Sequence, residues 1–166
     1  MANAADSWNG QGRAPFQVLV LPYLEDQERI AYAVFRRADA GYWQFIAGGG
    51  EGDEQPIQAA RREAWEEARI PETARIFRLD STNTVPVMEL AGRLLWGPDT
   101  LVVPEYTFAV PVLDADLRIS AEHTEYQWVN YETCRSRLHW DSNRSAFLEL
   151  HHRIMHGLSL DSARPT

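Results

Sequence analysis

Gly48-Gly49-Gly50-Glu51-Gly52-Asp53-Glu54 leads through Gln55 to Arg61 into Arg62-Glu63-Ala64-Trp65-Glu66-Glu67-Ala68-Arg69-Ile70. Five glutamates and an aspartate therefore crowd one short stretch that begins in a run of three glycines. Like charges one helical turn apart are unfavourable by a few tenths of a kcal/mol per pair. Arg61, Arg62 and Arg69 offset part of this, and a divalent cation is the natural further partner. From Pro56 to Arg69 the apolar period is helical, with Ile57, Ala60, Ala64 and Ala68 spaced three, four and four residues apart. Such a narrow stripe of mostly small side chains lets a helix lie close against a sheet. Pro56 suits a first helical turn, and Pro71 ends the element.

At about 100° per residue, Glu63 and Glu67 fall one turn apart at the margin of the stripe, and Glu66 lies roughly 60° to 100° further round. Arg62, one turn before Glu66, is placed to hold that carboxylate by a charge-assisted bond. One helix thus offers three carboxylates and a guanidinium that orients them. Hard Mg²⁺ takes such oxygen ligands, with Mn²⁺ as a substitute, and no cysteine–histidine cluster of zinc type accompanies them. Gly48, Gly49, Gly50 and Gly52 are expected to take positive φ in a loop and bring backbone groups against a metal or phosphate. Gly48 is assigned to the metal and Ala47 beside it to the substrate. Glu54 is expected to cap the helix or pair with Arg62, and Glu51 to point into the same space.

The whole chain of 166 residues and 19.0 kDa fits one domain, and 45% apolar with 24% charged residues is an ordinary globular composition. A formal net charge of -8 disfavours a nucleic-acid polymer or an anionic membrane as partner. A phosphate-rich small molecule remains compatible if metal ions bridge the two sets of anions. The lone Cys134 excludes an internal disulfide and suits a reducing compartment. With no secretory pattern in Met1 to Pro15, the expected location is the cytoplasm. The oligomeric state is open, a dimer included.

Outward from the acidic stretch, residues 1–15 read as a flexible arm, 16–157 as a single domain and 158–166 as a tail. Phe16 to Pro22 is expected as a strand ended by its proline, paired in a hairpin with Ile30 to Phe35 across the polar turn Glu25 to Glu28. Tyr42 to Ile46 reads as a short aromatic strand running into the glycines. Ile76 to Val87, Leu101 to Val112 and Tyr126 to Val129 are strand-like, and Glu89 to Thr100 is loop-like. Tyr131 to Leu138 and Ser142 to His156 are expected as helices, the last stopped by Gly157. This order predicts an α/β fold with a mixed sheet and helices on both faces.

The acidic stretch resembles the Nudix box, G-x5-E-x7-R-E-U-x-E-E-x-G-U with U a bulky apolar residue. Gly48, Glu54, Arg62, Glu63, Glu66, Glu67 and Ile70 fall on its positions, while Arg69 replaces the last glycine and Ala64 a bulky residue. The resemblance implies an α/β/α sandwich and a Mg²⁺-dependent hydrolase of nucleoside diphosphates linked to another group. Glu63, Glu66 and Glu67 would hold the metals, with a free carboxylate as general base.

Outside the box the chain is similar to the dihydroneopterin triphosphate diphosphatase branch of that family. Tyr42-Trp43-Gln44, Glu122-His123-Thr124-Glu125-Tyr126-Gln127-Trp128 and Trp140-Asp141-Ser142-Asn143-Arg144 carry the likeness. It implies Glu122 as a further metal ligand or the base, and Asn143 and Trp140 as substrate contacts. Trp43, Trp128 and Trp140 offer planar faces for a pterin or purine, and Arg36 and Arg37 could meet a triphosphate tail. The five histidines suggest no site. The expected reaction is release of pyrophosphate from a heterocyclic triphosphate, either dihydroneopterin triphosphate or a (deoxy)nucleoside triphosphate. The alternatives are a nucleotide sugar, dinucleotide or oxidised nucleotide as substrate, and a non-catalytic nucleotide-binding module.

Overall fold

In a computed structural model of the chain, residues 12–26, 29–90 and 95–160 are described. Residues 1–11 of the expected arm, two residues of the first turn, part of the 89–100 loop and the tail from residue 161 lie outside them, while the last three residues assigned to that arm, Arg13 to Pro15, belong to a strand. The elements are β1 (Arg13–Glu25), β2 (Ile30–Arg37), β3 (Trp43–Gln44), β4 (Ile46–Glu51), α1 (Pro56–Ala68), β5 (Phe77–Pro86), β6 (Val102–Pro111), β7 (His123–Val129), α2 (Tyr131–Arg137) and α3 (Asp141–Met155). Among the described residues, no helix is long and apolar enough to cross a membrane.

The sheet is built on β1. It runs parallel to β6 along one edge, and β5 follows antiparallel. Along its other edge the early residues of β1 pair with β4 and the last three with β2, which itself carries β7. Period-2 alternation sends Val18 and Val20 to one face and Leu19, Leu21 and Tyr23 to the other. The first face packs against Ala59, Ala60, Ala64 and Ala68 of α1. The second packs against Cys134 and Leu138, at α2, and Ala146, Phe147 and Leu150 of α3. This is the expected mixed sheet between helices, an α/β/α sandwich.

Three local expectations are corrected. Pro22 does not end β1, which continues to Glu25. The carbonyl of Tyr23 accepts from Val112 across from β6, so the imide nitrogen of Pro22 faces the opposite edge. There it sits between the end of the β4 pairing at Val20 and the start of the β2 pairing at Tyr23, so its missing N–H forfeits no ladder bond. Ile57 is 42% exposed, and the buried face of α1 is made instead by Ala59, Ala60, Glu63, Ala64, Glu67 and Ala68. Finally, Gly48, Gly49 and Gly50 lie in strand β4; of the run only Gly52 has positive φ, at 53°. What they supply is space, for a Cβ on Gly48 or Gly50 would lie within 2.1 Å of Glu63 or the ring of Phe16.

α1 ends where Arg69 turns left-handed, at φ 54° and ψ 30°, its N–H meeting the carbonyls of Ala64 and Trp65. That conformation costs a non-glycine residue about 1 kcal/mol or more, partly offset here by the guanidinium lying 5.0 Å over the Trp65 ring. Arg69→Gly is expected to raise stability by roughly 0.5–1 kcal/mol, read as a higher urea midpoint at unchanged slope. A lower midpoint would show that the stacking outweighs the strain.

Candidate active site

Helix α1 lies against β4, and the missing side chain of Gly48 is what lets Glu63 reach the strand. A Cβ at Gly48 would stand 2.0 Å from the Glu63 carboxyl carbon. Glu63 is consequently 8% exposed, and burial pushes its carboxyl up to about 7 against the opposing pull of Arg62. Arg62 is the organiser of this corner. Its Nη1 donates to Glu63 at 2.8 Å and to Glu66 at 3.0 Å, its Nη2 to the Gly49 carbonyl at 2.8 Å, and its Nε to Glu54 at 2.9 Å. Glu54 thus braces Arg62 rather than capping the helix, and Glu51 stands 3.9 Å from the guanidinium. Glu66 is exposed.

Glu67 is 1% exposed, and one of its oxygens meets His123 Nε2 at 2.5 Å. Its other oxygen and His123 Nδ1 are buried without a hydrogen-bond partner among the described residues. Burial drives the Glu67 carboxyl above its usual range, with His123 opposing. His123 was not among the expected site residues. Its signal was its place next to Glu122 at the start of a strand, and only the sheet brings it to a helix 56 residues away.

A cleft of about 540 Å³ opens beside these groups. It brings together Ala47, Gly48, Glu63, Glu122, Trp140 and Asn143 of the expected set. Glu122 is half exposed and takes a 2.9 Å bond from Arg37, whose guanidinium also lines the cleft. Trp140 precedes α3 and meets Tyr42 edge-on at 5.5 Å. Asn143, buried, accepts from the Phe45 N–H at 2.9 Å and so ties α3 to the β3–β4 junction. Arg36, Trp43, Arg62, Glu66 and Glu67 do not line the cleft. Arg36, next to Arg37 on an alternating strand, pairs outside with Glu125 at 3.3 Å. Trp43 packs on the α2–α3 core under the Arg137 guanidinium at 4.9 Å, and Trp128 donates to the Ala115 carbonyl at 2.7 Å. Arg13, Gln17 and Glu105, also unanticipated, complete this wall.

A model of the NUDIX domain matches residues 15–150. The chain belongs to the Nudix family. It is similar to the dihydroneopterin triphosphate diphosphatase of Haemophilus influenzae, with 30% identity over 115 residues, 68% of this chain and 72% of the relative. The enzyme of the same name from Escherichia coli K12 is 27% identical over 136 residues, 81% of this chain and 90% of the relative. A solved Nudix hydrolase structure from Listeria monocytogenes superposes with a TM-score of 0.79 and 36% identity, covering 87% of this chain and 97% of the other. The chain is accordingly a Nudix hydrolase.

Nudix hydrolases generally use a divalent metal, and the residues present fit one. The donors are hard oxygens, Glu67 keeps a buried oxygen without a partner among the described residues, and burial leaves Glu63 in want of positive charge. No three of the described acidic, histidine or cysteine side chains make a ready-closed cage, because Arg62 holds Glu63 and Glu66. The pH dependence of the metal-free Nudix fold follows. Glu63 binds its proton more tightly folded, at about 7, than at its ordinary 4.5. Its contribution is present below 4.5 and is lost as pH rises through 7, by on the order of 3 kcal/mol at 1.36 kcal/mol per unit. Thermal unfolding should therefore show Mg²⁺ raising Tm more at pH 8 than at pH 5, since protons compete for the same oxygens. An Mg²⁺ shift that shrinks with rising pH would contradict this.

Proposed function

We propose that this Nudix hydrolase is a Mg²⁺-dependent pyrophosphohydrolase acting on a heterocyclic triphosphate, dihydroneopterin triphosphate or a (deoxy)nucleoside triphosphate, with release of pyrophosphate. The observation that carries the reading is the paired burial of Glu63 and Glu67 beside a cleft that also presents arginines and an aromatic face. The names of the Haemophilus and Escherichia relatives point to the same substrate and would tie the enzyme to folate biosynthesis. The acidic charge and single buried cysteine fit a cytoplasmic enzyme.

Glu63, Glu66, Glu67 and the Gly48 carbonyl would hold the metal, which leaves Glu122 free to act as the base rather than as a further ligand. A bound divalent ion neutralises phosphate charge and makes water a better nucleophile. The rest falls to the chain. Arg62 keeps Glu63 and Glu66 pointed at one place. Arg13 and Arg37 offer cations to phosphoryl oxygens as charge shifts onto them. Trp140 offers its ring for stacking on the heterocycle. Glu122, half exposed on the cleft wall, takes the proton of the attacking water.

The test is a substrate panel with Mg²⁺, containing dihydroneopterin triphosphate, nucleoside triphosphates, nucleotide sugars and dinucleotides, with the products identified. Pyrophosphate plus a monophosphate supports the reading. Turnover confined to sugar or dinucleotide substrates would replace it with the alternative, and an inert protein that still binds nucleotides would make it a binding module.

A further inference from the structure

The cleft holds a second set of polar groups that hydrolysis does not use. Gly49, Gln17, Glu105 and Asn83 form one lateral row across β4, β1, β6 and β5. Neighbours in such a row project to one face. Leu19 and Ala109, of the same parity on β1 and β6, pack into the α2–α3 core, so the row faces α3. Gly49 contributes no side chain, and Gln17 and Glu105, each 5% exposed, line the cleft. Gln17 Nε2, Glu105 Oε1 and Asn83 Nδ2 are all buried without a hydrogen-bond partner among the described residues. An orphaned buried polar atom is costly, and more so when it carries charge. Apart from the Glu67–His123 pair, other buried polar groups nearby are satisfied: Asn143 takes the Phe45 N–H, and Thr107 donates to the Ser81 carbonyl. Two adjacent orphans in the cleft wall, with a third next to them in the row at Asn83, mark a surface shaped for a ligand.

We propose that Glu105 and Gln17, with Asn83 beside them, read the edge of a 2-amino-4-oxopyrimidine ring, the edge common to guanine and pterin. This rests on the triphosphate reading above and names the heterocycle it leaves open. In register order the row offers a donor, a carboxylate and a donor. The guanine or pterin edge offers its complement: a carbonyl oxygen, a ring N–H, an exocyclic amine and a ring nitrogen. The carboxylate accepts from the two adjacent N–H groups, and the amides donate to the acceptors on either side. Adenine would set the lone pair of its ring nitrogen against the carboxylate. A uracil edge has the flanking acceptors but one donor between them, and falls in between. Burial pushes the Glu105 carboxyl above its usual range, with a hydrogen bond from Ser142 opposing. Bidentate pairs of this kind discriminate by about 10- to 100-fold.

Calorimetric titration of the metal-free protein with GMP and with AMP tests this without any turnover. The wild type should bind GMP at least tenfold more tightly than AMP. Glu105→Gln should bring that ratio to within threefold of unity while leaving Tm unchanged or raised, because an orphaned buried charge is removed. Gln17→Leu should weaken GMP several-fold by a separate route. Equal affinity of the wild type for both monophosphates would overturn the proposal. So would a Glu105→Gln protein that loses GMP and AMP alike, or one whose Tm falls sharply. The same ratio should reappear in kcat/KM for GTP, ATP and dihydroneopterin triphosphate. A GMP preference without hydrolysis of any triphosphate would sink the function proposed above and leave this assignment standing.

Discussion

Glu67→Gln is expected to lower Mg²⁺-dependent hydrolysis by roughly a thousandfold, about 4 kcal/mol in the barrier, with the fold intact. The side chain is almost wholly inside the protein, and one of its oxygens finds no partner among the described residues. A glutamine of the same shape keeps an oxygen for His123 and removes the charge a metal needs. Removing a buried, incompletely paired carboxylate costs the fold little, so unfolding should move by no more than about 1–2 kcal/mol. Steady-state rates and thermal melts on the same preparation separate the two effects. Activity above a tenth of wild type would show that Glu67 is structural and that another carboxylate carries the reaction.

The second large effect is expected from Gly48→Ala. The new methyl would occupy the position of the Glu63 carboxyl, 2.0 Å from its Cδ and Oε1. The colliding atoms are the free end of a flexible side chain, so Glu63 swings away and the strand stays put. If Glu63 holds the metal as proposed, displacing it by an ångström or more costs on the order of a hundredfold in rate, whereas the overpacking should stay within about 1–3 kcal/mol. Kinetics and denaturant unfolding together decide it. Near-normal kcat would mean that Glu63 reaches its working position without passing over Gly48.

Much of the site was legible because it lies on one helix. Along α1 the 3.6-residue period alone places Glu63 and Glu67 on one edge and sets Arg62 beside Glu66, and the sandwich finds them so. Small alanines at the spacing of the inward stripe foretold close packing on a sheet, and Ala60, Ala64 and Ala68 supply it. The glycines were misread in kind. A glycine run is equally a signal for positive φ and for close approach, and nothing in the run itself chooses between them. The choice came from Glu63 and Phe16, which occupy the space where side chains would be.

The groups that sequence reasoning missed are the ones whose partners lie far along the chain. His123 belongs to a quoted motif but is given no role by the sequence, until β7 pairs with β2 and turns it toward Glu67. Arg36 and Arg37 are indistinguishable in the sequence, and strand alternation sends only Arg37 into the cleft. The row of Gln17, Glu105 and Asn83 exists only in the lateral register of three strands.

The sequence by itself determined the class of fold, the helix that carries the candidate site and the carboxylates it presents, because helical geometry is local and its period can be read along the chain. The tertiary structure alone decided which glycine makes way for Glu63, which histidine meets Glu67, which arginine faces the cleft and which polar groups line its floor. These depend on strand order and register, which are set by the burial of two apolar faces and leave no period in the sequence that names the partner.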